Sequence, residues 1–89
     1  MNDNSIPIIA FPYRFQWEEA QNCYVLLYPE GMVKLNISAS EILKHCNGVQ
    51  NVSAIVASLQ QQYPNAAIKS DVHEFLDIAY ENSWIRTKL

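Results

Sequence analysis

His45 and Cys46 stand side by side in this sequence, a base next to a nucleophile, and His73 adds a third side chain of a metal-ligating type. A thiol and an imidazole work as a pair only when they share a hydrogen bond. Neighbours at the end of a helix project about 100° apart, so the two side chains diverge and catalysis by this pair is not expected. Zinc sites carry their ligands at short characteristic spacings, and His45, Cys46 and His73 have none of them. A half-buried cysteine with two solvated histidines is the favoured reading, since free cysteine is commonly just buried. Glu18 and Glu19 border a turn, and on a continuing strand they point to opposite faces. Gly31 and Gly48 are the two glycines, too few for a phosphate-cradling loop. No active site, metal or cofactor is expected, and the protein is not expected to be an enzyme.

The composition narrows the partners. The chain has 89 residues, 49% hydrophobic and 17% charged, which is a globular composition with the thin core of a small domain. A formal charge of −3 is unfavourable for holding phosphate backbones and gives no polybasic attraction to lipid. No run approaches the ~20 apolar residues of a spanning helix, and IPIIAF lacks the basic segment of a signal peptide. The cytoplasm is the expected location, with neither nucleic acid nor membrane as partner. Cys23 and Cys46 form no C-x-x-C pair and are expected to be reduced and buried.

The positioning elements follow from periodicity. Residues 1–12, with Pro7 and Pro12, read as an extended or flexible arm, and 13–89 as the domain proper. YRFQWE at 13–18 alternates aromatic with polar as a half-buried strand does, placing Tyr13, Phe15 and Trp17 on one side. CYVLLY at 23–28 is apolar on both faces, which suggests a central strand or one whose outer face meets something. Pro29, Glu30 and Gly31 make a hairpin connection in which proline presets φ and glycine accepts a positive φ. GMVKLN follows as a third strand, with Val33 and Leu35 opposite Met32, Lys34 and Asn36.

Ser38 and Glu41 form a capping box for a short helix to about Cys46, stopped by Asn47 and Gly48. Asn51 caps a second helix with Val52, Ile55, Val56 and Leu59 on its apolar stripe, ending at Pro64. Ser70 caps a third, with Val72, Phe75, Leu76 and Ala79 in register. Trp84 and Ile85 are expected to pack the chain end onto the core. The fold class is therefore α+β, winged-helix-like: a three-stranded antiparallel β-meander followed by three α-helices.

In such a meander the third strand is an edge, with a row of unpaired N–H and C=O groups that proteins normally protect. Segment 32–36 has only Lys34 for protection. Either that suffices, or a peptide adds there as a fourth strand with side-chain pockets setting its specificity. Residues alone favour the first, because every open sheet has edges. The third helix presents an apolar arc wider than one packing face: Ile78 lies among Asp71, Glu74 and Glu81, and Tyr80 borders the stripe beside His73. This leaves room for a groove between helix and edge. A winged helix also suggests DNA binding, but the third helix offers Asp71, Glu74, Asp77 and Glu81 where a recognition helix offers Arg, Lys, Asn or Gln. A third alternative is a structural homodimer through an outer sheet face of Tyr24, Leu26 and Tyr28.

The order of motifs WEEAQNCYVLLYPEGMVKLNISASEIL, CNG, NVSAIVASL, DVHEFL and SWI resembles the PqqD family of pyrroloquinoline quinone biosynthesis, the freestanding form of the peptide-recognition element of ribosomal-peptide modification systems. The resemblance runs from residue 13 to 85, and YPEGMVKLN followed by SASEIL is its specific part. It implies a peptide chaperone that binds the precursor peptide PqqA and presents it to the radical S-adenosylmethionine enzyme PqqE, which joins a glutamate and a tyrosine of that peptide. It further implies that the peptide adds to the third strand, Met32, Val33, Lys34, Leu35 and Asn36, and lies against Phe75, Leu76, Ile78 and Tyr80 of the third helix. Asn47 and Asn51 depart from the acid and threonine usual in that pattern, yet both support the same local hydrogen bonding. Ile37 replaces a usual polar residue beside the proposed edge.

Overall fold

The computed structural model describes residues 1–88; Leu89, the end of the expected domain, lies outside the described residues. The elements run β1 (Ile6–Ile9), β2 (Arg14–Glu18), β3 (Cys23–Tyr28), β4 (Gly31–Lys34), α1 (Ile37–Leu43), α2 (Val52–Gln62), α3 (Ile68–Glu81) and β5 (Ile85–Lys88). Strands β2, β3 and β4 form the antiparallel meander, with β3 in the middle, and three helices follow it. The fold is α+β, as the sequence implies.

The meander rests on aromatic pairs across its strands. Phe15 stacks on Tyr24 at 4.8 Å, Trp17 meets the same ring edge-on at 5.3 Å, and Tyr13 leans on Tyr28 at 5.3 Å, geometries that ring quadrupoles favour. These rings share a face with Leu26, Val33 and Leu35, and that face packs on the helices. The expected outer face of Tyr24, Leu26 and Tyr28 is thus an inner one: Leu26 is 0% exposed and belongs to the core. Leu26 is therefore not available to a dimer contact, and Tyr24 and Tyr28 are only half-buried on that inner face. Period 2 alone could not orient β3, because Val25, on the opposite face, is also fully buried.

The hairpin loop is only Pro29–Glu30, since Tyr28 pairs with Gly31. Gly31 begins β4 and does not adopt the positive φ expected of it; Gly48 does, at 79°. A Cβ on Gly48 would also lie 2.9 Å from Ile8 Cδ1, so this position is restricted both by backbone and by space.

Helix starts differ from expectation in two places. The cap of α1 is Asn36, whose Oδ1 accepts from Ala39 N at 2.8 Å; Ser38 is already inside the helix, and Glu41 pairs with Lys44 Nζ at 3.0 Å. Asn36 sits at the end of extended backbone (φ −77°, ψ 175°), where a cap must be, and caps as well as serine. α3 begins at Ile68, with Ser70 in its first turn donating to Ala67 O. Burying Ile68 contributes about 1.5–3 kcal/mol against about 1 kcal/mol for a cap, which favours the earlier start. Asn51 caps α2 as read, accepting from Ala54 N at 2.8 Å. The core gathers Leu26, Leu43, Ile55, Leu59, Val72 and Leu76 from β3 and all three helices.

Residues 1–12, expected to form an extended or flexible arm, contribute β1 to the fold. β1 pairs with β5, the strand formed by the expected chain-end packing of Ile85. On its other side Ile9 N donates to Cys46 O and Gly48 N to Pro7 O. Pro7, which has no N–H, is accommodated there as an acceptor. Upstream, Ser5 O and Asp3 O accept from Val52 N and Ser53 N at the start of α2, donors that a helix N-terminus leaves unpaired. A second sheet was not legible because its strands are four residues each and about eighty positions apart.

Candidate functional site

The register of β4 on β3 decides which of its main-chain groups are free. Leu35 N donates to Tyr24 O at 3.0 Å, and the pairs continue as Val25 with Lys34, Leu26 with Val33 and Leu27 with Met32. In an antiparallel ladder, hydrogen-bonded and non-hydrogen-bonded pairs alternate. The N–H and C=O groups of Gly31, Val33 and Leu35 therefore turn toward β3, and those of Met32 and Lys34 turn outward. Among the described residues no strand pairs with that outer margin.

The side chains divide the same way. Val33 packs against the core and Leu35 belongs to it, while Met32, 39% exposed, and Lys34 lie on the outer sheet face. Asn36 is committed by its side chain to capping α1, and its carbonyl accepts from Ser40 N and Oγ. A strand laid along β4 would alternate in turn, one set of side chains toward the helices and the other beside Met32 and Lys34.

Beyond the end of β4 a cleft of about 260 Å³ joins Asn36 to Phe75 and Ile78 of α3, with Asp71 and Glu74 on its rim and Ser38, Ala39 and Ile42 of α1 opposite. Asp71, Glu74, Phe75 and Ile78 recur at i, i+3, i+4 and i+7, so they form one helix face. Ile78 is 48% exposed, whereas Phe75 is half-buried against the core. Leu76, expected on the guest-facing side, is 0% exposed and wholly inside the core; a residue one position from Phe75 turns about 100° away. Tyr80 is 54% exposed but does not line this cleft. The structure thus brings Asn36, Phe75 and Ile78 together, keeps Leu76 as support beneath them, and sets Tyr80 apart. The α1 side of the cleft was missed; its signal was the i, i+4 spacing of Ser38 and Ile42 on a helix directly following the strand.

The candidates for chemistry are scattered. Cys46 is buried, its Sγ aimed at Ile42 O at 3.6 Å, and burial pushes its thiol up to about 12, which keeps it protonated and unreactive. Cys23, expected to be buried, is only half-buried. His45 Nδ1 lies 2.8 Å from Gln50 Oε1, and His73 Nε2 lies 3.0 Å from Asp3 Oδ1. Among the described residues no group of three or more His, Cys, Asp or Glu is gathered to hold a metal ion. No helix there is long and apolar enough to cross a membrane.

The family model of Coenzyme PQQ synthesis protein D (PqqD) matches residues 23–85. The chain belongs to the PqqD family. Among PqqD relatives, a PqqA binding protein of Azotobacter vinelandii is 55% identical over 83 residues, covering 92% of this chain and 90% of that one. A PqqA binding protein of Kluyvera intermedia is 49% identical over 89 residues, covering 99% and 97%. The solution NMR structure of the PqqD truncation of Methylobacterium extorquens PqqCD, a functional, stand-alone recognition element for ribosomally synthesized and post-translationally modified peptides, superposes with a TM-score of 0.77 at 26% identity, covering 97% and 94%. These PqqD relatives are named as binding proteins and as a recognition element.

Proposed function

We propose that this PqqD-family chain is a peptide chaperone of pyrroloquinoline quinone biosynthesis, which binds the precursor peptide PqqA in the cytoplasm and presents it to the radical S-adenosylmethionine enzyme PqqE for glutamate–tyrosine cross-linking. The guest segment adds to the outer margin of β4 as a fourth strand, and α3 is its second wall. The observation that carries this reading is the pair of outward-facing main-chain groups at Met32 and Lys34, next to the cleft of Asn36, Phe75 and Ile78. Strand addition explains how a protein without catalytic groups can hold an extended chain: main-chain bonds grip it and flanking side chains select it. The PqqA-binding relatives at about half identity support the choice of guest. Asp71, Glu74, Asp77 and Glu81 are all exposed on α3, which favours a peptide over a nucleic-acid partner.

Titrating unlabelled PqqA into isotope-labelled protein tests the docking mode. Amide signals of residues 32–36 and of α3 are expected to shift together; an unchanged spectrum at saturating peptide overturns it. Presentation is tested separately, by cross-linking turnover of PqqE with PqqA in the presence and absence of this chain. Equal rates with and without it remove the chaperone role while leaving the peptide binding.

A further inference from the structure

The cleft beside β4 does not end at Asp71. A second hollow of about 200 Å³ continues from it toward the start of α3, and the two share Ser38, Ile42 and Asp71 as a common sill. Its walls are Ile37, Leu59, Tyr63, Ala66 and Ile68. Together the hollows form one furrow, bounded by α1 on one side and by α3 on the other, with Leu59 of α2 and its C-cap Tyr63 closing the second part. Ile37 at its lip is 82% exposed, although it immediately follows the strand and cap that shape the first cleft.

The charge of this furrow is one-sided. Glu41, Asp71 and Glu74 are its charged lining residues, and neither Lys nor Arg lines either part. Glu41 is neutralised by Lys44 at 3.0 Å. Asp71 and Glu74 make no ion pair among the described residues. A guest that buries an apolar side chain here places its own backbone and neighbouring residue against those two carboxylates, where a cation is favoured and an acid is repelled.

We propose that the guest peptide continues past β4 along this furrow and seats a second anchor, a large apolar side chain with an adjacent Lys or Arg, between Ile37, Tyr63 and Ala66, the basic residue meeting Asp71. This inference rests on the reading of β4 as the docking edge and adds a selectivity element to it. The strand segment supplies grip through the backbone; the furrow supplies discrimination through one apolar contact and one charge.

The test is calorimetric titration of full-length PqqA into four variants, each checked for folding by circular dichroism. Ala66→Trp fills the second hollow from an exposed position and is expected to weaken binding about tenfold, the order of one buried apolar side chain. Asp71→Lys is expected to weaken it several-fold, the difference shrinking as salt is raised. Ile37→Asp, at a site exposed enough to leave the fold intact, serves as the second block should Ala66→Trp not fold. Lys34→Pro is the reference for the edge itself. Loss of affinity in all of them supports the second anchor. Weakening by Lys34→Pro with wild-type affinity in Ala66→Trp and Ile37→Asp overturns the anchor and leaves the edge reading standing. Weakening by the two blocks but not by Asp71→Lys overturns the basic residue. Wild-type affinity in Lys34→Pro removes the edge reading, and the furrow as its continuation fails with it.

Discussion

The meander has two open margins, and they differ in what stands beside them. Along β4 the outward groups belong to Met32 and Lys34; along β2, paired as Arg14 with Leu27 through Glu18 with Cys23, the same alternation turns those of Phe15 and Trp17 outward. The β2 margin carries two charged residues in five, Arg14 and Glu18, and runs into the 3-10 turn Glu19–Gln21 and a left-handed Asn22 (φ 53°). Trp17 is tied back by its indole N–H to Glu19 Oε2 at 2.9 Å. The hollow beside Trp17 is shared with β3 and α1 and contains no residue of α3. The β4 margin is continued by a cleft with a lengthwise helix wall. An open edge is common to all sheets; a helix face standing next to it is what makes one of these two a candidate site.

That contrast is open to attack at several strengths. The largest effect is expected from Val33→Pro, which deletes an inward ladder bond and strands the Leu26 carbonyl in the core, costing about 1–3 kcal/mol of stability; urea unfolding measures it. Its neighbour Lys34→Pro removes only an outward donor, so stability holds while PqqA affinity drops about tenfold, near one hydrogen bond. If the two prolines behave alike, Val33 and Lys34 do not turn their N–H groups to opposite sides of β4. A smaller loss, about fivefold in Kd or ~1 kcal/mol, is expected for Ile78→Ala, with stability changed by less than about 0.5 kcal/mol because the side chain is half exposed. The smallest is a null: on peptide addition, hydrogen exchange should slow at Met32 and Lys34 and change less than about twofold at Phe15 and Trp17. Equal protection at both margins would erase the distinction.

Much of this was legible in the sequence where one pattern had one solution. Asn51 before VSAIV, the stripe of Val72, Leu76 and Ala79, and a doubly apolar CYVLLY between two short hairpin partners gave the helices and the central strand. Where two solutions were equivalent, tertiary contacts decided. Val25 and Leu26 are both buried, so hydrophobicity could not say which face of β3 meets the helices. Asn36 and Ser38 are comparable caps, and the end of β4 selected Asn36. β1 and β5 each lack the length to announce a strand, and their pairing joins the two ends of the described chain. At the site, the open edge and the exposure of Ile78 were readable; Leu76 lies in the core as its stripe implies, so only the guest contact that the resemblance adds for it finds no exposed surface, and the α1 contribution was not seen because it depends on how two helices pack.

The β4 margin is short, and its shortness has a thermodynamic implication. Met32 and Lys34 together offer two N–H and two C=O groups before α1 begins at Ile37. At about 1 kcal/mol net for each bond, a generic extended chain would gain only about 4 kcal/mol, a dissociation constant near millimolar before any ordering cost. On the proposed docking mode, capture of unrelated polypeptides would stay weak, and tight association would require a ligand whose side chains also match the hollow next door.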